Sequence, residues 1–337
     1  MILDDLHLPP GIKIAHNMPA EPSAEDLDFL KALGVRYVTT WAQPDKAKPE
    51  YYASRKQLYA EAGFTLYGMG NSGVHNQDDI VLNLPGREAK IELYKQHLRN
   101  LAAAGIPYTT YAHMANGIWS SPRGQTRGGA SARVLDLDHE AVGNWNGRVY
   151  AQPLSHGRVY SKDEIWDNYT YFIRAVAPLA EQLGVLIGIH PDDPPQPMLS
   201  GVPRCIFSSF DGYQRALEIA NSPSVGMCLC VGCWLEGGPL MGRGVLETIQ
   251  HFGKQGKIFK VHFRNVDAPL PRFTETFIDN GYMDMRKVMQ ALHDIDYNGI
   301  VILDHIPQIV NSNQISAAYT IGYMQALLAG VVAEPAL

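Results

Sequence analysis

Short apolar runs rich in β-branched and aromatic residues alternate along this chain with longer amphipathic stretches. That alternation constrains the fold more than any other feature, because a strand followed each time by a helix has to pair in parallel. The runs fall at 11–17 (GIKIAHN), 35–41 (VRYVTTW), 64–71 (FTLYGMGN), 106–114 (IPYTTYAHM), 185–190 (VLIGIH), 224–232 (SVGMCLCVG), 257–265 (KIFKVHFRN) and 299–305 (GIVILDH). A helical pattern follows each one; the first, SAEDLDFLKALG, has Ser23 as its N-cap and Gly34 as its C-cap. Eight such units match a closed (β/α)8 barrel. An open doubly wound sheet would usually carry a glycine-rich phosphate loop after its first strand, and AHNMPAEPS has none. The expectation is an α/β TIM barrel, one domain over 1–337, with elaborated loops after strand 4 (about 115–160) and strand 5 (about 191–209). Both loops leave strand C-terminal ends, where barrel active sites are built.

Composition agrees with a large core and excludes several classes of function. Of 337 residues, 46% are hydrophobic and 18% charged, which rules out disorder. Lys+Arg 28 against Asp+Glu 34 gives −6, so there is no net basic field to hold nucleic acid or an anionic membrane. Unbroken apolar runs of roughly 18 to 20 residues are missing, and the acidic, proline-broken MILDDLHLPP does not fit a signal peptide. Of the four cysteines, Cys228, Cys230 and Cys233 crowd into six residues. A disulfide framework would spread them, so the setting expected is reducing and cytoplasmic. Acidic barrels of low charge often pair, which makes a homo-oligomer an expectation from base rates alone.

The pattern that carries chemistry is where the metal-capable residues fall. Strand 5 ends in His190, strand 6 carries Cys230 near its end, strand 7 carries His262, and strand 8 ends at Asp304. Four consecutive strands thus deliver imidazole, thiol, imidazole and carboxylate to one rim. Alternation supports this, since Leu186, Gly188 and His190 share a face, as do Ile258, Lys260, His262 and Arg264. Two neutral imidazoles and two anionic ligands suit a divalent metal, and their softness favours Mn, Fe, Co or Zn over Mg. Singly, a strand-end His is more often structural and a buried Cys a small hydrophobe. Four at equivalent positions are harder to dismiss. Cys228, Cys230 and Cys233 could instead form a zinc or redox cluster, although a second cysteine pair at ligand spacing is missing and Cys205 is isolated.

Other polar groups gather near these ends. HPDDPP (190–195) and GVPR (201–204) hold Asp192, Asp193 and Arg204 on a proline-stiffened loop. The segment 116–133 offers Asn116, Trp119, Arg127 and Arg133 among glycines, either as a lid or as a surface excursion. Arg264 shares the inward parity of His262, and an inward arginine is costly unless it meets an anion, such as a substrate carboxylate. Asn265 continues that run. Asn116, Trp119, Arg127, Asp192, Arg204, Arg264 and Asn265 are the expected substrate contacts.

At these motifs the chain resembles the mannonate dehydratase family of metal-dependent barrels, related to the xylose-isomerase-like group. The residues that carry it are HPDDPP at 190–195, LxGVPR ending at Arg204, CxG at 230–232, VHFRNV at 261–266, GYMDM at 281–285, DH at 304–305 and RGGA at 127–130. The resemblance implies a divalent metal, usually manganese, on His190, Cys230, His262 and Asp304, with His305 in proton transfer. It also implies a sugar acid as the small-molecule substrate. Where the family continues DH with glycine, this chain reads DHIP, and the tyrosines available beyond it, Tyr319 and Tyr323, lie in the last helix. Adjacent Asp304 and His305 cannot both face inward on a regular strand, so the strand has to break there if both act.

The chemistry implied is removal of the C2 proton of an aldonate such as D-mannonate with loss of the C3 hydroxyl, giving a 2-keto-3-deoxy acid. His305 is the expected base, while Asp193, Tyr319 or a metal-bound water is left to protonate the leaving hydroxide. Two other readings stay open: a metal-dependent sugar isomerase or epimerase on the same barrel, and a barrel that binds sugar acids without turnover.

Overall fold

The computed structural model describes residue 6 and residues 8–333. Strands β1 (Lys13–Asn17), β2 (Tyr37–Ala42), β3 (Thr65–Asn71) and β4 (Tyr108–Tyr111) alternate with helices α1 (Ala24–Ala32), α2 (Pro49–Glu61), α3 (Asp78–Val81) and α4 (Arg87–Ala103). Four short strands follow: β5 (Ile118–Gln125), β6 (Ser131–Asp136), β7 (Val142–Trp145) and β8 (Arg148–Tyr150). Helix α5 (Lys162–Leu183) leads to β9 (Leu186–Ile189), the small pair β10 (Met198–Leu199) and β11 (Val202–Pro203), and α6 (Phe210–Ala220). Next come β12 (Val225–Cys230), α7 (Val231–Gly237), α8 (Val245–Lys254), β13 (Ile258–Phe263), β14 (Asn265–Val266) and β15 (Arg272–Thr276). The chain closes with α9 (Met285–His293), β16 (Ile300–Leu303) and α10 (Asn313–Ala333).

Eight of these strands form a closed barrel in the order β1-β16-β13-β12-β9-β4-β3-β2, with every neighbouring pair parallel. They are the eight runs read from the sequence. The helix signals also hold locally. Ser23 caps α1 in a reciprocal capping box with Asp26, and Gly34, at φ +69°, stands one residue past the C-cap. Ser161 and Glu164 form the same box on α5, which ends at Gly184 in the left-handed region. Inside the barrel, side chains take up the width. A Cβ at Gly188 would collide with the Tyr108 ring, and Tyr67 Oη donates across the interior to the Phe259 carbonyl at 2.5 Å.

The long excursion after β4 is more ordered than its composition suggested. It supplies β5–β8 to a six-stranded sheet, β14-β15-β6-β5-β7-β8, completed by two strands that follow β13. Pairing is antiparallel, with Phe273 opposite Leu135 and Val266 opposite Glu275. The loop after strand 7 is therefore a third elaborated connection beside the two expected. Helix α10 carries no Asp, Glu, Lys or Arg over 21 residues and is long and apolar enough to cross a membrane by length and composition. Here it packs on α9, β1 and β16 as the last helix of the barrel.

Candidate metal centre and its ion-pair network

Each of the four strand-end residues owes its place to its strand's register. Cys230 pairs with His262 across β12 and β13, and His262 pairs with Ile302, two residues before Asp304. His190 follows the last residue of β9 and donates its backbone N–H to Tyr111 of β4. As a result one ligand atom from each of His190, Cys230, His262 and Asp304 lies within 4.8 Å of the others. β16 stops at Leu303, so Asp304 and His305 stand beyond the ladder and both reach the same rim.

The donor chemistry fits a divalent cation. His190 Nδ1 is 2.7 Å from the Pro191 carbonyl, which leaves Nε2 for the centre. His262 Nε2 is 3.4 Å from Cys228 Sγ, while its Nδ1 is buried without a hydrogen-bond partner, 3.4 Å from Asp304 Oδ2. A buried orphan nitrogen aimed at a carboxylate is what a ligating imidazole looks like in the protein alone. Burial opposes ionisation of Cys230, but the Cys233 side chain, the Arg264 guanidinium and the two imidazoles outweigh it and hold the thiol well below its usual range. Asp304 is likewise held well below the carboxylate range, against burial, by His305, His262 and Arg264. Two anions and two imidazoles suit a 2+ ion of intermediate softness.

Arg264 lies just past β13 with its side chain 0% exposed. Its Nη1 donates to Glu236 Oε1 at 2.5 Å and to Glu275 Oε1 at 2.6 Å. Its Nη2 reaches Cys233 Sγ at 3.3 Å and Cys230 Sγ at 3.4 Å, and its Nε is 3.2 Å from Asp304 Oδ2. The anions that an inward arginine required therefore come from the protein, and no face is left open to a substrate carboxylate. Gly232 makes this possible, because a Cβ there would overlap the guanidinium. Arg133 of β6 is the second cation of the cluster: Nη1 donates to Glu275 at 3.0 Å and Glu236 at 3.2 Å, and Nη2 donates to Asp193 at 2.5 Å.

The other expected site residues divide between this network and the loops. Asp193 is buried, with one oxygen 2.5 Å from Arg133 and the other 3.5 Å from Arg264. Burial raises its pKa, yet the two guanidiniums outweigh that and keep it ionised, which corrects its role as a proton donor. Asp192 accepts from Ser208 Oγ at 2.7 Å, in the interior. Arg204 donates to the Pro194 carbonyl, the Gly117 carbonyl and Asn116 Oδ1, Asn116 donates to the Leu199 carbonyl, and Trp119 Nε1 donates to the Asn116 carbonyl. These three tie the loops after β4 and β9 together. Asn265 fastens the segment after β15 by donating to the carbonyls of Ile278 and Met283. As substrate contacts these four are thus replaced by loop-holding roles, because Asn116, Trp119, Asn265 and both Nη atoms of Arg204 already donate within the protein.

Arg127, just past β5, and Tyr319 of α10 meet on the rim. Arg127 makes a bidentate pair with Asp279, at 2.6 and 3.1 Å, and donates to Tyr319 Oη at 3.2 Å. Both line a cleft of about 580 Å³ with Ser131, Phe277 and Gln308. His305 is one-third open, with 35% of its side chain exposed, and its Nδ1 is 2.9 Å from Glu275 Oε1. Burial disfavours the imidazolium, but Asp304 and Glu275 outweigh it and push its pKa up to about 9.

Glu236 and Glu275 went unmarked among the candidate residues read from the sequence. Glu236 sits in the CWLEGG run between β12 and α8, where the short helix α7 forms. Glu275 sits in RFTET, a five-residue strand whose partner is remote in sequence. An isolated acid in such a segment reads as solvated surface; the only signal was that Arg264 needed an anion.

Comparison with known proteins gives the same family at three levels. The family model described as D-mannonate dehydratase (UxuA) matches residues 48–332. Mannonate dehydratase 2 of Halalkalibacterium halodurans is 31% identical over 262 residues, covering 72% of this chain and 74% of that protein. The mannonate dehydratase of Streptococcus pneumoniae is 31% identical over 273 residues, covering 74% and 72%. Among solved structures, mannonate dehydratase from Streptococcus suis serotype 2 superimposes with a TM-score of 0.82 at 27% identity, covering 96% of this chain and 95% of that one. An L-ribulose 3-epimerase, at TM-score 0.60 and 14% identity, shares the fold alone.

Proposed function

The chain belongs to the D-mannonate dehydratase family, and from that premise we propose that it is a hydro-lyase converting D-mannonate to 2-keto-3-deoxy-D-gluconate, with residues 1–337 acting as one domain. The observation that carries this reading is the convergence of His190, Cys230, His262 and Asp304 within 4.8 Å, beside a histidine that is neither one of those ligands nor closed off. We assign a divalent cation, manganese first, to those four residues. When bound, the cation would polarise the substrate's carboxylate and C2 oxygen and draw charge from Asp304, which would bring His305 back towards neutrality.

The residues of the chain do the rest. In this reading His305 accepts the C2 proton, and the electron pair of that C–H bond forms the C2–C3 double bond as the C3–O bond breaks. The departing oxygen needs a proton, and Tyr319 is the donor we assign: its hydroxyl borders a rim cleft, where Arg127 fixes it. The resulting enol becomes the keto acid by taking a proton at C3. Proton transfer of this kind is worth roughly 10²–10⁴-fold. Arg133 and Arg264 leave the substrate alone and fix the carboxylates around the centre.

The test is formation of 2-keto-3-deoxy acid from D-mannonate and from a panel of other aldonates by manganese-loaded protein, with and without EDTA. EDTA-sensitive product from D-mannonate supports the reading. Product from a different aldonate alone would change the substrate. Silence across the panel with metal bound, or activity on a ketose instead, would overturn it in favour of a binding barrel or an isomerase.

A further inference from the structure

His305 stands past the end of β16, outside any strand, and a base on an irregular segment needs something else to fix its ring. The structure supplies one contact: Glu275 Oε1 lies 2.9 Å from His305 Nδ1. Glu275 is only 2% exposed, and three things immobilise it. Arg264 and Arg133 donate to the same oxygen, at 2.6 and 3.0 Å. Its strand, β15, is paired on both sides, to β14 through Val266 and to β6 through Thr274.

We propose that Glu275 is a positioning residue, holding His305 by Nδ1 so that Nε2 is the nitrogen that exchanges a proton with the substrate. A neutral imidazole carries one N–H, and an ionised carboxylate can only accept, so Glu275 selects the tautomer with hydrogen on Nδ1 and the lone pair on Nε2. That nitrogen is 3.8 Å from Asp304 Oδ1, on the side of the four-residue centre. When Nε2 takes the C2 proton, the C–H bond breaks, the N–H bond forms, and the imidazolium faces a carboxylate that does not itself accept the proton. The two guanidiniums, both donating to the oxygen that faces His305, keep Glu275 aimed. Arg133 and Glu275 both belong to the rim sheet, so this sheet, built from the loops after β4 and β13, sets the orientation of a base that belongs to the barrel.

The inference rests on the reading of His305 as proton acceptor, and the experiment separates the two. Manganese-loaded wild type, His305→Ala and Glu275→Gln are compared for kcat, KM and metal content. Glu275→Gln can present an amide N–H to Nδ1 and stabilise the wrong tautomer. It is expected to lower kcat on the order of 10²-fold while KM stays within about threefold and bound manganese is unchanged. Loss of turnover in His305→Ala with wild-type kcat in Glu275→Gln overturns the positioning role alone; normal turnover in His305→Ala overturns both. A merely structural role would lower metal content or raise KM instead of splitting kcat from KM. Should Glu275→Gln fail to fold, ¹⁵N NMR of His305 in wild-type protein loaded with diamagnetic zinc decides the matter. Hydrogen on Nδ1 with Nε2 bare supports the proposal, and hydrogen on Nε2, with or without one on Nδ1, sinks it.

Discussion

At Gly232 a single hydrogen atom separates a working site from a collision, since a Cβ would fall on the Arg264 guanidinium. Gly232→Ala is expected to displace Arg264 from Glu236 and Asp304, costing about 1–3 kcal/mol by overpacking; unchanged thermal unfolding and unchanged metal content would refute it. His262→Ala and Cys230→Ser should each lower bound manganese, because each removes one of four donors. Full occupancy in both, measured by elemental analysis, would dismiss the ligand assignment. Tyr319→Phe loses the hydroxyl while keeping the edge-to-face contact with Phe277, whose ring centroid is 5.7 Å away. It should fold normally, bind metal and lose turnover by about 10²-fold or more; wild-type turnover would return the acid's role to solvent. The four strand-end donors were legible because strand ends are legible. Glu275 was not, because what makes it matter is a contact 30 residues away in sequence.

Among the elements, the barrel strands and helices announce themselves by period and caps, and the rim sheet does not. β6 and β15 are short, partly polar and paired with remote partners, so alternation within either gives little signal. The elements also set how acid acts on the fold. His97 of α4 lies between Tyr52 Oη and Thr109 Oγ1, and His113 follows β4; burial pushes both down to about 3. Unfolded, both titrate near 6.5, so between 6.5 and 3 the unfolded chain binds more protons and stability falls as pH falls. His190, His262 and His305 are shifted upward, so what they contribute is complete below 6.5 and does not mask the effect. Each of His97 and His113 is expected to cost about 2 kcal/mol between pH 6.5 and 5. Urea unfolding across that range tests it, and a flat stability profile would contradict it.

For the molecule as a whole, the rim sheet and barrel are joined by buried charge. Arg133 reaches from β6 to Asp193, Glu236 and Glu275, so Arg133→Met would leave these carboxylates short of a cation and should cost about 3–5 kcal/mol. Denaturant unfolding measures this, and a loss below about 1 kcal/mol would mean that Arg264 alone balances the cluster. Removal of the cation acts on the same scale: if the native state binds it and the unfolded chain does not, EDTA should lower Tm and manganese restore it. What the sequence determined by itself is the barrel and the four donors on its rim, because period-2 and period-3.6 patterns are local and a strand's last inward residue is readable from its own alternation. What tertiary structure alone decided is which charges meet. Arg264 and Asp193 read as groups for a substrate, yet they face each other and Glu236, since the partner of a buried charge is chosen by the packing of segments far apart in the chain, and no local pattern records that choice.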